Sequence, residues 1–188
     1  MVTTNLIRRR LLIEACFLSV MLCPVFLAGQ PEGTPIPDSE TQSVPEYKVI
    51  DRWRGTWDVK AIRHVPKPPR EVTYSETYDW ILDEHYLRCE TSRKSDGGKS
   101  MSIFWFDMST KAYRWVIYDA SGLVGELPPG MWNESTQTMA WKTGLFSPVS
   151  FEGYATFQGP DTIRGKSLWK DWKGTIILDL EGTSTRRK

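Results

Sequence analysis

Apolar and polar residues alternate with a period of two along most of the chain after residue 54. In "TWDVKAI", for example, Trp57, Val59 and Ala61 alternate with Asp58 and Lys60. Turn-forming sequences such as "SDGG", "QGPD" and "DWKG" separate these segments. The pattern is typical of antiparallel strands joined by hairpins. It predicts strands over residues 55–65, 71–82, 86–94, 99–107, 112–119, 122–127, 130–133, 137–142, 149–157, 162–169 and 175–184.

One segment before the first strand has a helical period instead. The sequence "PEYKVIDRW" predicts a short helix that would lie as a lid on the strands. A meander of about ten strands loses its exposed edges when it closes into a barrel. Residues 47–188 are therefore predicted to form an all-β domain, an antiparallel up-and-down β-barrel of about ten strands with a short N-terminal helical segment.

The first thirty residues have a different character. Three consecutive arginines in "MVTTNLIRRR" precede a long apolar run and the polar sequence "QPEG". This order predicts a secretory signal peptide over residues 1–30, and hence a periplasmic or secreted domain. The run approaches the ~20 residues of a membrane-spanning helix, so an uncleaved membrane anchor is the alternative. Residues 31–46 contain four prolines and few apolar residues, and are predicted to be a disordered leader.

Charge and aromatic content narrow the function. The chain has 24 Lys and Arg against 23 Asp and Glu, and these numbers become 21 and 22 without residues 1–30. Such a balance lacks the basic surface of nucleic-acid binding, so no nucleic-acid partner is predicted, and membrane contact is predicted only through an uncleaved N-terminal segment. All nine Trp and all seven Tyr lie after residue 46, where their rings need a core or a cavity wall.

Cysteine and histidine are too sparse for familiar catalytic or metal sites. Cys16 and Cys23 belong to the predicted signal peptide, which leaves Cys89 without a disulfide partner in the domain. The alternation places His64 on the outside of its strand, and His85 falls in a turn. Neither a zinc site nor a Ser-His-Asp triad can be built from these residues. We predict no metal, no cofactor and no catalytic residue, since haem ligation would require one histidine to reach the lumen.

The first hairpin can be aligned by placing large apolar groups on a common face. This rule pairs Trp57 with Trp80 and Arg63 with Tyr74. Glu76 then lies on the same inward face, diagonal to Arg63, and the two are predicted to meet inside the barrel. Two opposite charges buried inside the barrel must either form an ion pair with each other or bind a ligand.

The last three strands show a gap on their inward face. Large groups such as Phe151 and Trp169 are predicted to face each other at one end, whereas Ala155 and Gly165 leave the middle small. The same rule pairs Gly165 with Leu180 on the last strand. Rings from the opposite wall could fill this gap, or it could remain open as a pocket.

A family resemblance follows from several of these segments. Gly55-Thr56-Trp57, together with Arg186 and Arg187 near the end of the chain, resembles the calycin pattern of lipocalins, in which a C-terminal basic side chain packs over the Trp. "YDWILDEHYLR", "FWFDMSTKAYRWVIYDASG", "MWNESTQTMAWK" and "LEGTSTRRK" are similar to the bacterial domain-of-unknown-function family fifteen seventy-nine, a relative of nitrobindin. The resemblance implies a calycin-like barrel in which Gly55, Trp57 and Arg186 are structural, and it implies no activity.

Three functional hypotheses remain. The first is an exported barrel that binds a small apolar or amphipathic molecule. Its predicted ligand-binding residues are Arg63 and Glu76 as polar anchor, with Tyr74, Tyr78, Trp80, Trp105 and Trp115 as wall. The second is a lipocalin-like lyase or isomerase that uses Glu76 as general base. The third is a filled barrel that acts through its outer surface as a structural or interaction module. A cavity of about 300 Å³ or more would favour ligand binding.

Overall fold

The computed structural model describes residues 44–143 and 149–188. The predicted signal peptide and most of the predicted leader lie outside the described residues, so both remain predictions. The described chain has one helix, α1 (Pro45–Asp51), and the strands β1 (Gly55–Arg63), β2 (Arg70–Ile81), β3 (Tyr86–Thr91), β4 (Ser100–Asp107), β5 (Ala112–Asp119), β6 (Val124–Glu126), β7 (Gly130–Asn133), β8 (Thr138–Lys142), β9 (Ser150–Phe157), β10 (Thr162–Lys170) and β11 (Ile176–Arg186). None of its helical structure is long and apolar enough to cross a membrane.

The strands form one closed antiparallel barrel. Each strand from β1 to β5 pairs with the next, the pairing continues from β7 to β11, and β11 pairs with β1. The short strand β6 pairs with Val116–Tyr118 of β5, whereas β7 pairs with the same strand at Tyr113. β6 and β7 both pair with β5 and together occupy one strand position, so the closed barrel has ten strand positions. The predicted fold class, including the short N-terminal helix, is confirmed.

One end of the barrel is closed by aromatic residues and by α1. Trp57 is fully buried, and its indole N–H donates a hydrogen bond to the carbonyl oxygen of Trp53 at 2.6 Å. The guanidinium carbon of Arg186 lies 4.1 Å from the centre of the Trp57 ring. Arg186 also donates hydrogen bonds to the carbonyl oxygens of Arg52, at 2.8 Å, and Arg54. The basic residue that packs over the Trp is therefore Arg186, and it joins the end of the chain to the segment before β1.

The register of the first hairpin differs from the prediction by four residues. Trp57 lies opposite Glu76, and Val59 lies opposite Tyr74, so the predicted pairs of Trp57 with Trp80 and Arg63 with Tyr74 are wrong. The connection lies at residues 64–69, two residues earlier in the chain than the predicted register requires. Because the shift is an even number, the same side chains still face inward.

The last strands show one correct register and one shifted register. Phe151 faces Trp169 and Ala155 faces Gly165, as predicted. Gly165 lies opposite Gly182 rather than the predicted Leu180, a shift of two residues. An irregularity at Trp169/Lys170 changes the register next to the turn. The inward face is again unaffected.

The backbone conformation at Gly55, two residues before Trp57, is expected to require a glycine. Gly55 has φ +107°, a conformation that side chains with a Cβ rarely adopt. We expect Gly55→Ala to lower the free energy of unfolding by about 1–3 kcal/mol, measured by urea denaturation. Gly98→Ala is the matched control, because its added Cβ meets only ordinary contacts at 3.4 and 3.5 Å. Equal stability losses in the two variants would contradict the backbone explanation.

Candidate functional site in the barrel lumen

The barrel encloses a cavity of about 360 Å³. Trp53 and Trp57 line it on the side of the closed end. Its volume falls within the range of small-molecule sites, about 300–1,000 Å³. The gap predicted on the inner wall is therefore open, and the rings of Tyr74 and Tyr78 border it without filling it. The alternative of a filled barrel loses its structural basis.

One wall of the cavity is apolar and small at its centre. β9, β10 and β11 contribute Ala155, Gly165 and Gly182 to the lining. Towards the other end, Phe151 and Trp169 pack edge to face with their ring centres 4.8 Å apart. This wall could accept a flat or extended apolar group, because its small residues leave room between larger ones.

The Trp169 ring narrows the mouth of the cavity. Its Cη2 atom would lie 3.8 Å from a Cβ placed on Gly125, so the indole extends from β10 to the backbone of β6. An alanine at position 125 would make an ordinary van der Waals contact with this ring.

The opposite wall carries ionisable and hydroxyl groups. β2 contributes Tyr74, Glu76 and Tyr78, and the neighbouring strands contribute Cys89 and Ser102. The hydroxyl group of Tyr78 donates a hydrogen bond to Oε2 of Glu76 at 2.9 Å. The lumen therefore has two faces, one mostly apolar and one polar.

Burial shifts the proton equilibria of this polar wall. Loss of hydration raises the pKa of Glu76 above its ordinary value, against the hydrogen bond from Tyr78 and the positive charge of Lys94. Burial, reinforced by the charge of Glu76, also raises the pKa of Tyr74, Tyr78 and Cys89. The thiol is thus protonated at neutral pH and is unsuited to act as a nucleophile.

The predicted pairing of Arg63 with Glu76 does not occur. Arg63 forms an ion pair with Asp96 at 2.9 Å, at the mouth of the cavity. The connection between β3 and β4 brings Asp96 there, because it folds along β2, where the Ser95 N–H donates to the carbonyl oxygen of Thr73 at 3.0 Å. The carboxylate of Asp96 compensates the charge of Arg63, so Glu76 interacts with residues other than the predicted Arg63.

Lys94 is a charged group of the cavity lining that the sequence did not reveal. Its Nζ lies 5.1 Å from the centre of the Tyr74 ring, and the side chain lines the cavity. It belongs to the turn sequence "RKSDGGK", whose composition indicates a solvated connection. No pattern in the sequence shows that this turn bends towards the lumen.

Of the seven predicted ligand-binding residues, five line the cavity and two do not. Arg63, Tyr74, Glu76, Tyr78 and Trp115 line the cavity.

Two predicted wall residues lie elsewhere. Trp80 is at the closed end, where its indole N–H donates to Oδ1 of Asp51 at 2.7 Å. Trp105 lies on the outer face of β4, with its ring 5.9 Å from that of Tyr86. Both faces of β4 are apolar in sequence, so alternation could not orient Trp105.

The histidines lie away from the cavity. His64 Nε2 is 3.1 Å from a carboxylate oxygen of Glu181, and His85 Nδ1 is 3.0 Å from the carbonyl oxygen of Leu82 in a turn. Neither residue lines the lumen. Within residues 44–143 and 149–188, no group of three or more His, Cys, Asp or Glu side chains could hold a metal ion.

The raised pKa of Glu76 predicts a specific pH dependence of stability. The folded protein retains this proton at pH values where the unfolded chain has released it, so stability is lost as pH rises from about 4.5 through the higher folded pKa. Gln at this position cannot ionise and can still accept the hydrogen bond from Tyr78. We expect Glu76→Gln to be more stable than the wild type near neutral pH, with the difference vanishing below the ordinary pKa of Glu. Urea denaturation across a pH series measures this, and a difference that is constant with pH would refute it.

Comparisons with known proteins support the fold. No family model matches the chain, and a search of curated proteins found no match. The chain is similar to the structure of the S-type phycobiliprotein lyase CPES from Guillardia theta, with 16% identity, a TM-score of 0.51, and coverage of 77% of this chain and 94% of that chain. It is also similar to Rv2717c from M. tuberculosis, with 12% identity, a TM-score of 0.58, and coverage of 77% of this chain and 99% of that chain. At such identities the likeness shows a shared calycin-like fold and nothing about activity.

Proposed function

We propose that this protein binds a small amphipathic molecule in the lumen of its barrel. The observation that carries the proposal is the open cavity of about 360 Å³ with one apolar and one polar wall. An apolar group of the ligand would lie against Ala155, Gly165 and Gly182. Its polar group would face the carboxyl of Glu76 and the hydroxyl of Tyr78. This division matches the common design of ligand sites, which are mostly apolar with a few placed polar groups.

The polar anchor differs from the one that the sequence suggested. Arg63 is occupied by Asp96, whereas Lys94 and Glu76 both face the cavity without forming an ion pair with each other at salt-bridge distance. Lys94 can donate three hydrogen bonds. The proposed ligand therefore has a hydrogen-bond acceptor at its polar end.

The proposal of export rests on the N-terminal sequence. Residues 1–30 have the order of a signal peptide, which supports a periplasmic or secreted location, with membrane anchoring as the alternative. Membership of the domain-of-unknown-function family fifteen seventy-nine is likewise proposed. The contact between Trp57 and Arg186 supports it, because that arrangement follows the pattern on which the resemblance was based.

A bound molecule can be sought directly. The protein would be purified without detergent, examined by native mass spectrometry, and extracted with organic solvent for mass analysis of the extract. A fluorescent anthroyloxy fatty acid would then be titrated into the delipidated protein as an amphipathic probe. We expect either a co-purified mass or saturable probe binding with a dissociation constant in the micromolar range. Absence of both would overturn the proposal.

An enzyme that uses Glu76 is the second candidate. The observation that favours it is a carboxyl group of raised pKa inside a ligand-sized cavity, a combination common among general bases. If a bound molecule is chemically changed on incubation, Glu76→Gln should slow its turnover at least 100-fold and weaken its binding much less. Unaltered turnover would exclude Glu76 as the base.

A further inference from the structure

The turns at the mouth of the cavity lie at one end of the barrel. The described turns there are residues 64–69, 92–99, 120–123 and 171–175. The Ala120 N–H donates to the carbonyl oxygen of Lys99 at 2.9 Å and so connects two of them, and the His64 N–H donates to that of Asp179 in β11 at 2.8 Å. We call these four turns the mouth turns. They surround the entrance through which a ligand would pass.

Two of the mouth turns expose large apolar side chains. Leu123 is 72% exposed and Val124 65% exposed at the turn between β5 and β6. Trp172, in the turn between β10 and β11, is 75% exposed, and Ile177 beside it is 53% exposed. The two turns are neighbours, since the Trp169 ring spans the distance from β10 to Gly125. Clustered exposed apolar groups of this size mark a surface that contacts something other than water.

The mouth turns are also basic. They contain Lys67, Arg93, Lys94, Lys99 and Lys173, against Asp96 and Asp171. Asp96 is paired with Arg63, and Asp171 accepts backbone hydrogen bonds of its own turn from Lys173 and Thr175, both at 2.8 Å. The described turns at the opposite end contain Lys111 against Asp83, Glu84, Glu134 and Asp161. α1 and the C-terminal residues add basic groups at that end, but its turns do not combine a basic excess with a cluster of apolar tips.

We propose that the mouth turns dock on the surface of an anionic lipid bilayer. Trp172 and Leu123 would enter the interfacial layer, and Lys99 and Lys173 would face lipid headgroups. Trp beside Lys is the composition favoured at membrane interfaces, and Lys173 Nζ lies 4.8 Å from the Trp172 ring. Basic residues near an anionic bilayer add electrostatic attraction to apolar insertion.

A bilayer fits this surface better than a protein partner. The apolar side chains belong to two neighbouring turns and to the strand residues beside them, and a fluid interface can accommodate each of them individually. Docking would place the cavity entrance against the bilayer. The sequence indicated membrane contact only through residues 1–30, and this second contact stands whether or not the lumen holds a ligand.

The test compares the two ends of the barrel within the full chain. An environment-sensitive nitrobenzoxadiazole label would be placed at Leu123→Cys or, as control, at Met108→Cys in a turn of the opposite end, where Met108 is 49% exposed. Cys16 and Cys23 would be changed to Ser, and Cys89 is buried. Comparison of positions separates docking from any tethering by the N-terminal segment, because tethering alone does not select one end.

The expected result is a blue shift at position 123, and quenching by lipids with a nitroxide on the acyl chain, on vesicles of phosphatidylcholine with phosphatidylglycerol. Position 108 should show neither effect. No shift at position 123, or equal shifts at both positions, would overturn the proposal. Equal shifts at position 123 on vesicles without phosphatidylglycerol would overturn its electrostatic part.

Charge variants give an independent measurement. Lys99→Gln combined with Lys173→Gln is expected to weaken binding to phosphatidylglycerol-containing vesicles roughly 25-fold, since each basic residue near an anionic surface contributes a factor of about five. Lys48→Gln combined with Lys188→Gln removes two exposed charges from the opposite end and should change the label response at position 123 much less. Equal weakening by both pairs would show general attraction instead of docking by the mouth turns.

Discussion

Replacing Trp57 by Ala is expected to lower the free energy of unfolding by about 3–5 kcal/mol, the usual cost of removing a large buried ring. Three interactions disappear together in this variant. The ring is fully buried, it donates a hydrogen bond to the carbonyl oxygen of Trp53, and it lies under the guanidinium of Arg186. The carbonyl oxygen of Trp53 would also lose this donor. Urea denaturation followed by circular dichroism measures the change.

Trp172→Ala is the matched control, because it removes the same side chain from an exposed position. Its stability in water is expected to change by less than about 0.5 kcal/mol. Similar losses in the two variants would mean that Trp57 is not the residue that closes this end of the barrel. If the Trp57→Ala protein does not fold, its loss of stability is at or above the upper end of this expected range.

The positions of strands and of the helix followed from local patterns in the sequence. Alternation over "TWDVKAI" identifies an inward face regardless of which strand lies beside it, because side chains of successive residues point to opposite sides. Closure into a barrel then follows from the need to cover strand edges. These inferences require no knowledge of distances between strands, so they could be made from the sequence.

The registers required information that the sequence does not contain. The position of the turn at residues 64–69 and the irregularity at Trp169/Lys170 both depend on the folded backbone. Alternation determines which residues face inward, and a register shift by an even number of residues leaves that face unchanged. Both register errors were therefore even numbers, four and two residues. The inward face survived these errors, whereas the opposing pairs, such as Trp57 with Trp80, did not.

The candidate site was predictable where a strand has one polar face. Tyr74, Glu76 and Tyr78 follow from the alternation of β2, and they line the cavity. Trp105 did not follow, because β4 is apolar on both faces. Lys94 could not be found either, since it belongs to a turn whose path over β2 is set by backbone hydrogen bonds. Prediction of this lumen was therefore limited by its connections more than by its strands.

Replacing Ser167 by Trp is expected to weaken binding of the anthroyloxy probe at least 100-fold, about 2.8 kcal/mol. Ser167 lines the cavity between Gly153 on β9 and Leu180 on β11. An indole at this position would extend into the open space of about 360 Å³ and occupy the volume assigned to the apolar part of the ligand. Fluorescence titration measures the affinity, and thermal unfolding reports whether the barrel remains folded.

Arg164→Trp provides the control on the same strand, because residue 164 is exposed on the outer face of β10. Probe affinity should change less than about twofold in this variant. Unchanged affinity in a folded Ser167→Trp protein would place the probe outside the lumen and remove the basis for the proposed function. Loss of binding in Ser167→Trp with no loss of thermal stability would show the opposite, because a filled lumen keeps the barrel intact while excluding its ligand.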